Sequence, residues 1–255
     1  ISKGASSTLY GSGAATAVID IRMKKASEGA FNGTIGTFLG TNQTADSDNT
    51  GSIYQANIGI NGREGKFNYL ANFSSFASQG ISAAIDESGN NAFDDDPFQR
   101  NNVDLRMGYD FSGKFLLNGA FSASNFDNSF DSDSFTEGDN ETNDKNFRIS
   151  LSPEYRYENG TVNVNFAYTK FNVDRVQTSF PGKSYGDNYM VDAFVKHNFG
   201  KVKLIGGVNF QSNKIRTFSI PFGGSELEET QFVQEPKTTI TDPYVNAVYI
   251  SDIGF

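Results

Sequence analysis

The sequence has no cysteine and no tryptophan, and it contains a single histidine. Without cysteine, the chain can form no disulfide bond, cysteine-ligated zinc site, iron–sulfur cluster or thiol nucleophile. One histidine is also too few for a convincing zinc site or catalytic triad. The longest apolar runs are only a few residues long, whereas a transmembrane helix needs about 20 apolar residues. These absences exclude thiol chemistry and a helical membrane protein.

Aromatic residues are abundant by contrast. The 255 residues include 24 Phe, 11 Tyr and 26 Gly but only 6 Pro, and the net charge is -9. When glycine is counted with the apolar residues the composition is ordinary, so disorder is not indicated. The mean hydropathy of -0.45 nevertheless describes a hydrophilic chain. Any fold proposed for this sequence must explain many aromatic side chains in a chain that is hydrophilic on average.

Apolar and polar side chains alternate from Phe31 onward, which is the pattern of β-strands with one apolar and one polar face. In the clearest segment one face carries Phe147, Ile149, Leu151, Pro153, Tyr155 and Tyr157, and the other carries Arg148, Ser150, Ser152, Glu154, Arg156 and Glu158. The alternation predicts ten strands, at 31–40, 52–61, 66–77, 100–111, 114–125, 146–157, 161–173, 188–199, 202–216 and 244–251. Strands in soluble proteins centre on about five or six residues, whereas a tilted strand that crosses a bilayer needs about 9 to 11. Most of the predicted strands have the membrane-crossing length.

The connections between these strands alternate between short and long. Glycine-containing turns are predicted at 61–65, 112–114, 158–160 and 199–201, and long polar loops at 41–51, 78–99, 126–145, 174–187 and 217–243. Short periplasmic turns and long extracellular loops are typical of outer-membrane barrels, and aromatic residues beside the short turns fit an interfacial belt. We therefore predict an all-β fold, a transmembrane antiparallel β-barrel. The alternative is a soluble antiparallel sandwich or barrel, which explains neither the strand length nor the two classes of connection.

The first 25 residues break the alternation and carry a glycine-rich motif. Residues 3–14 read Lys-Gly-Ala-Ser-Ser-Thr-Leu-Tyr-Gly-Ser-Gly-Ala, and residues 18–21 read Val-Ile-Asp-Ile. This segment resembles the end of the plug domain of TonB-dependent outer-membrane receptors, in which a basic-Gly-Pro-x-Ser segment leads to a Tyr-Gly turn and a Val-Ile-Asn-Ile strand. Ala5 stands here in place of the proline. The motif positions that the resemblance assigns are Gly4, Tyr10, Gly11, Ser12 and Gly13.

The resemblance implies two parts, the C-terminal part of a plug domain at 1–27 and the N-terminal part of a transmembrane barrel at 28–255. The barrel part would supply about ten of the roughly 22 strands of such a receptor. A complete ten-stranded barrel ending at Phe255 is the alternative, but so small a barrel would not hold a plug. We therefore expect the TonB box and the remaining strands to lie outside this chain.

The resemblance further implies an active transporter in the outer membrane of a Gram-negative bacterium. Such a receptor imports a scarce small-molecule nutrient and is driven by periplasmic TonB through a plug segment that is not in this chain. Cobalamin is the first expected substrate, with a ferric siderophore or an oligosaccharide as alternatives, and a passive porin, an adhesin or an outer-membrane enzyme as other classes. We expect no catalytic residue, no required cofactor and no nucleic-acid partner. Outer-membrane lipid and a surface lipoprotein are the other expected partners, and substrate-binding residues are not assigned.

Most of the acidic side chains lie in the predicted long loops. Clustered carboxylates on loops suit Ca²⁺, which takes six to eight oxygen ligands. The segments 94–98, 130–133 and 143–145 resemble the calcium-binding loops of cobalamin receptors, and on that resemblance Asp94, Asp96, Asp131 and Asp144 are the expected ligands of a structural Ca²⁺. A further ligand expected near Gly80 is missing. The alternative is a solvated acidic rim without a metal ion.

The charged residues within the strands have simpler expected roles. Six of them lie on the polar parity and are expected to face the lumen, where they would pair with one another or contact the plug: Asp104, Arg106, Asp110, Arg148, Glu154 and Arg156. His197 lies on the apolar parity near a short turn and is expected at the membrane interface.

Overall fold

The computed structural model describes residues 2–3, 17–18, 29–42, 51–82, 94–132, 136, 138–177, 181–232 and 236–249. Its strands are β1 (Ser2–Lys3), β2 (Ala17–Val18), β3 (Asn32–Thr41), β4 (Ser52–Glu64), β5 (Phe67–Ser78), β6 (Phe98–Asp110), β7 (Phe115–Phe130), β8 (Asn140–Tyr157), β9 (Gly160–Val176), β10 (Gly182–Phe199), β11 (Val202–Ser219), β12 (Glu228–Glu229) and β13 (Lys237–Tyr249). Within these ranges there is no helix with the length and apolar character needed to cross a membrane.

The strands form one large antiparallel sheet of 11 strands and a separate pair, β1 with β2. From β3 to β11 each strand pairs with the next one along the chain, which is a meander. At the β11 edge, β13 pairs with Val202–Lys214 and the short β12 pairs with Phe218 and Ser219. The structure confirms the all-β antiparallel fold class, and each of the ten predicted strands is present as a strand of this sheet.

The register keeps each side-chain parity on one face across the whole sheet. One row of directly opposed partners is apolar and consists of Ala71, Leu105, Phe121, Ile149, Tyr168 and Tyr189. The adjacent row is polar and consists of Asn72, Asp104, Ser122, Arg148, Thr169 and Asn188. The alternation seen in the sequence therefore produces one continuous apolar face and one continuous polar face.

No second layer covers the apolar face among the residues that the structure describes. Ala167, at 2% exposure, is the only buried apolar side chain in those ranges, and large apolar side chains such as Ile35, Ile149 and Leu151 are exposed. A soluble sandwich buries such a face against another sheet. The exposed apolar face matches the lipid-facing side of a membrane barrel instead.

Several strands extend further toward the long loops than the alternation predicts. Strand β7 continues to Phe130, β8 already begins at Asn140, and β10 begins at Gly182. The added residues of β8 are polar on both faces, and those of β7 and β10 are mostly polar with single aromatic residues at Phe126, Phe130 and Tyr185, so the sequence has no clear period of two there. The prediction of these strand ends was wrong because alternation marks only the part of a strand that has one apolar environment.

Three of the four predicted short turns contain a glycine in the left-handed conformation. Gly65, Gly113 and Gly200 have φ values of 57°, 71° and 66°, a left-handed conformation that side chains with a Cβ rarely adopt. At the second turn, Asp110 Oδ1 accepts hydrogen bonds from the backbone N–H groups of Ser112 at 3.2 Å and Gly113 at 2.5 Å. Asp110 therefore stabilises a turn, and it forms no ion pair with a basic side chain in the described part of the chain.

Candidate functional site

The polar face of the sheet is the surface on which a ligand or another part of the protein could bind. Asp104, Arg106 and Arg148 line a shallow depression there, together with Ser122 and Ser150. The backbone places them side by side because Asp104, Ser122 and Arg148 are direct cross-strand partners. The two arginines give this part of the face a net positive charge.

The expected pairing of charges on this face is confirmed at one position. Arg156 Nε lies 2.5 Å from Glu154 Oε1. Asp104, Arg106 and Arg148 form no ion pair or side-chain hydrogen bond with any residue in the described part of the chain. These three side chains are therefore available to a partner outside the described ranges.

A cluster of aromatic side chains and one arginine lies on the same polar face, at the ends of β5, β6 and β7 that are closest to the long loops. We call it the Arg100 cluster, and it consists of Phe76, Phe98, Arg100 and Phe126. The rings of Phe76 and Phe98 are stacked, with centroids 5.3 Å apart, and the Phe98 and Phe126 centroids are 6.4 Å apart. The Arg100 guanidinium carbon lies 5.1 Å from the Phe126 ring centroid, a cation–π geometry. Arg100 itself is exposed.

The register explains why these residues meet. Phe76, Arg100 and Phe126 are direct partners on β5, β6 and β7, and Asp144 on β8 lies opposite Phe126. Asp144 Oδ1 is buried, and no described residue donates a hydrogen bond to it. Aromatic rings are unusual on this otherwise polar face of the sheet. The cluster and its neighbour Asp144 bring three aromatic rings, a guanidinium cation and a carboxylate acceptor together in one place. Such a surface can bind a ligand that is both aromatic and charged.

The sequence analysis did not identify this cluster. Phe98 and Phe126 lie outside the strands predicted from alternation, so their parity could not be assigned. Phe76 lies within a predicted strand but on the polar parity, and this break in the pattern was the available signal.

Three of the four expected calcium ligands come together in the structure. The carboxyl of Asp96 is hydrogen-bonded to Asp131 and also experiences the charge of Asp94. Ser82 Oγ donates a hydrogen bond to Asp131 Oδ2 at 2.6 Å. Burial, followed by the charges of Asp131 and Asp94, raises the pKa of Asp96 to about 6.

Asp144 lies apart from this group. It lies opposite Phe126 in the register, whereas Asp131 comes after Phe130. The four residues of strand from Phe126 to Phe130 alone correspond to about 13 Å. Among the described residues, no group of three or more histidine, aspartate or glutamate side chains is arranged to hold a metal ion. The converging carboxylates have the chemistry that Ca²⁺ prefers, but the described side chains are not arranged to surround an ion. Calcium ligation therefore stays a prediction.

The Asp96 carboxyl is expected to lose its proton as the pH rises through about 6. Because its pKa is raised, the folded loop holds the proton more tightly than the unfolded chain, so this contribution to loop stability is fully present below about pH 4 and is lost as the pH rises through about 6. Infrared difference spectra of the full-length protein, with Asp96→Asn as the reference, would measure the protonated carboxyl band. Asp95→Asn is the matched control, since Asp95 is not among the groups that interact with Asp96.

The same titration tests calcium ligation. If Ca²⁺ binds here, it displaces the proton and removes the band at pH 5 to 6, as metal binding generally releases protons from its ligands. A band that is unchanged by millimolar Ca²⁺ would show that the calcium prediction is wrong.

The plug motif lies outside the described residues. Gly4, Tyr10, Gly11, Ser12 and Gly13 all fall between the described pairs 2–3 and 17–18. The backbones of those two pairs form the antiparallel strands β1 and β2, with Ser2 opposite Val18. The plug assignment and the division at residue 27 remain predictions.

Comparisons with known proteins identify the fold. No family model matches the sequence, and no curated protein matches it significantly. Among solved structures, the siderophore receptor PirA from Pseudomonas aeruginosa matches 96% of this chain with a TM-score of 0.67 at 15% identity, over 39% of its own length. A mutant of the ferric enterobactin receptor PfeA from Pseudomonas aeruginosa matches 96% with a TM-score of 0.69 at 14% identity, over 40% of its length.

A third match extends the comparison to another genus. The ferric yersiniabactin uptake receptor FyuA from Yersinia pestis matches 98% of this chain with a TM-score of 0.57 at 12% identity, over 49% of its length. At these identities the matches show a shared fold, which does not by itself fix a function. The chain spans about two fifths to one half of the receptors it matches.

Proposed function

We propose that this chain is part of a TonB-dependent receptor that imports a scarce nutrient across the outer membrane of a Gram-negative bacterium. The observation that carries the proposal is the meander of long strands with one exposed apolar face. Nearly the whole length of this chain shares the fold of a solved receptor structure. The plug-like sequence at residues 3–14 adds independent support. No catalytic group is needed for this function, because binding and energised release complete the transport cycle.

A ferric siderophore is the substrate class that we favour over cobalamin. Three solved structures that share this fold are named as a siderophore receptor, a ferric enterobactin receptor and a ferric yersiniabactin uptake receptor. The Arg100 cluster also suits a ferric chelate that is aromatic and negatively charged, since Arg100 can pair with the charge while the three phenylalanine rings stack. Cobalamin was expected from the acidic loops alone, and Asp144 does not join the other three carboxylates there.

Energised uptake is the property that distinguishes this function from a passive porin. Cells that produce the full-length receptor are expected to accumulate radiolabelled ferric siderophore and to stop doing so when a protonophore collapses the proton gradient. Binding of the chelate at the cell surface should persist, because binding does not consume energy. Accumulation that continues without the gradient would contradict the proposal and favour a porin. A surface lipoprotein partner remains a prediction that this experiment does not address.

A further inference from the structure

An aspartate lies beside the Arg100 cluster on the polar face of the sheet. Asp144 on β8 is the direct cross-strand partner of Phe126, and Phe126 is in turn the direct partner of Arg100. The three side chains therefore follow one another across β6, β7 and β8 in the order cation, ring and carboxylate. Neighbouring strands lie about 4.8 Å apart, so the backbone positions of the cation and the carboxylate are about 10 Å apart.

The carboxylate of Asp144 receives no hydrogen bond at its shielded oxygen from the described residues. That oxygen is Oδ1, whereas Oδ2 is not shielded in this way and is the oxygen that a ligand can reach. The nearest cation on β9 is Arg175, which lies opposite Thr142 and forms no ion pair with Asp144. A half-buried carboxylate without a donor costs free energy that a cationic donor would recover.

Arg100 does not supply that donor. Its guanidinium carbon lies 5.1 Å from the Phe126 ring centroid, and it forms no ion pair with Asp144. Stacking uses the flat face of a guanidinium and leaves the N–H groups at its edge able to bind an anion. The Phe126 ring thus separates a cation from an anion, and neither charge has a counter-charge among the described residues.

The surroundings of Asp144 suit an organic cation better than a metal ion. Four uncharged residues flank it on the polar face: Val173 on β9, Asn146 on β8, and Ser124 and Asn128 on β7. A single carboxylate is a poor site for Ca²⁺, which takes six to eight oxygen ligands. An organic ammonium group can pair with one carboxylate and lie against the Phe126 ring at the same time.

We propose that Asp144 selects ferric chelates that carry a positively charged nitrogen about 10 Å from their anionic, iron-binding oxygens. The anionic side of such a chelate would lie at the Arg100 guanidinium, its aromatic ring against the phenylalanine rings, and its ammonium group at Asp144. The inference rests on the proposed function and narrows its substrate from an anionic aromatic chelate to one that carries both charges. Asp144 is then a residue that determines specificity.

The test compares two synthetic chelates that differ in one group. Both are ferric tris-catecholates on the same scaffold, one with a pendant aminopentyl chain and the other with a hexyl chain of equal length. Equilibrium binding to the purified full-length receptor gives the ratio of the two affinities. A hydrogen bond between charged groups is expected to favour the ammonium chelate about tenfold in the wild type. Asp144→Asn is expected to lower that preference to about threefold or less, because a neutral acceptor forms a bond roughly half as strong.

Asp127→Asn is the matched control. Asp127 follows Phe126 on β7 but lies on the opposite face of the sheet, where Asn143 is its direct partner. This variant is therefore expected to keep the wild-type preference for the ammonium chelate. Binding of the hexyl chelate by Asp144→Asn shows that this variant is folded, so a change in the affinity ratio reports the lost charge.

Four outcomes would overturn the inference. They are equal affinity of the wild type for the two chelates, an unchanged preference in Asp144→Asn, an equal loss of preference in both variants, and loss of both chelates by Asp144→Asn, which would indicate a structural role. Uptake of the same chelates separates this inference from the proposed function. Energised uptake of both chelates without a preference would reject the role of Asp144 alone, whereas binding of neither chelate by the wild type would reject the siderophore assignment as well.

Discussion

Leu151→Arg is expected to lower the free energy of unfolding of the full-length receptor by about 2–4 kcal/mol, the cost of a basic side chain near the middle of the lipid-facing surface of a barrel. Leu151 lies on the apolar face of β8, opposite Gly119 and Phe166, and is 46% exposed. An exposed leucine costs little free energy if lipid covers it. An arginine at the same position would have to lose its hydration, which is costly. Urea unfolding of the receptor in lipid vesicles would measure the difference.

Ser152→Arg is the matched control. Ser152 is the next residue on the same strand, but it lies on the polar face opposite Asn118 and two residues from Glu154. We expect a change below about 1 kcal/mol, because a lumenal arginine stays in water. Equal costs for the two variants would show that lipid does not cover the apolar face.

Arg100→Ala is expected to weaken the binding of a ferric siderophore about tenfold to a hundredfold. The substitution removes the cation that stacks on Phe126 at 5.1 Å and that would pair with the charge of the chelate. A hydrogen bond to a charged group contributes about 1.5–3 kcal/mol, which corresponds to this range of affinity. The loss of affinity would be measured by equilibrium binding to the purified full-length protein, with quenching of the protein's intrinsic fluorescence as the signal.

The chain provides a matched control for this variant as well. Arg216 stacks on Tyr185 at 5.8 Å in a similar geometry, but it lies on the opposite face of the sheet. Arg216→Ala is expected to leave siderophore affinity unchanged. If both variants lose affinity equally, or if neither does, the Arg100 cluster is not part of the binding site.

The fold was largely predictable because strands with one apolar and one polar face follow a simple pattern of alternation. Leu151 and its neighbour Ser152 lie on opposite faces of the sheet. Wherever a strand separates lipid from an aqueous lumen, successive residues along the strand differ in polarity in this way. The pattern disappears at Asn140–Asn146, where β8 is polar on both faces, and the sequence gives no signal there for where the strand begins.

The binding surface was harder to predict because it depends on register. Phe76, Arg100 and Phe126 are separated along the chain and become neighbours only through the pairing of β5, β6 and β7. The calcium expectation placed Asp144 with the other carboxylates by resemblance, and the register places it opposite Phe126, five residues before Asp131 in the chain.

The arrangement of the sheet relates these features to one function. Its apolar face would hold the protein in the membrane. Its polar face would present the Arg100 cluster near the loops, where a nutrient arrives, and Asp104, Arg106 and Arg148 further down, where a plug would lie. The alternation of two environments along each strand is therefore the central claim.

Scanning single cysteines along β8 would test that claim most directly. The chain contains no cysteine, so a spin label at each position from 141 to 156 reports that position alone within this chain. In lipid vesicles, labels at 147, 149 and 151 are expected to be relaxed by oxygen, which dissolves in lipid, and labels at 148, 150 and 152 by a water-soluble nickel chelate. Labels at 141–145 should be accessible to the chelate on both parities. Accessibility without a period of two between 147 and 152, or with the opposite phase, would contradict the account.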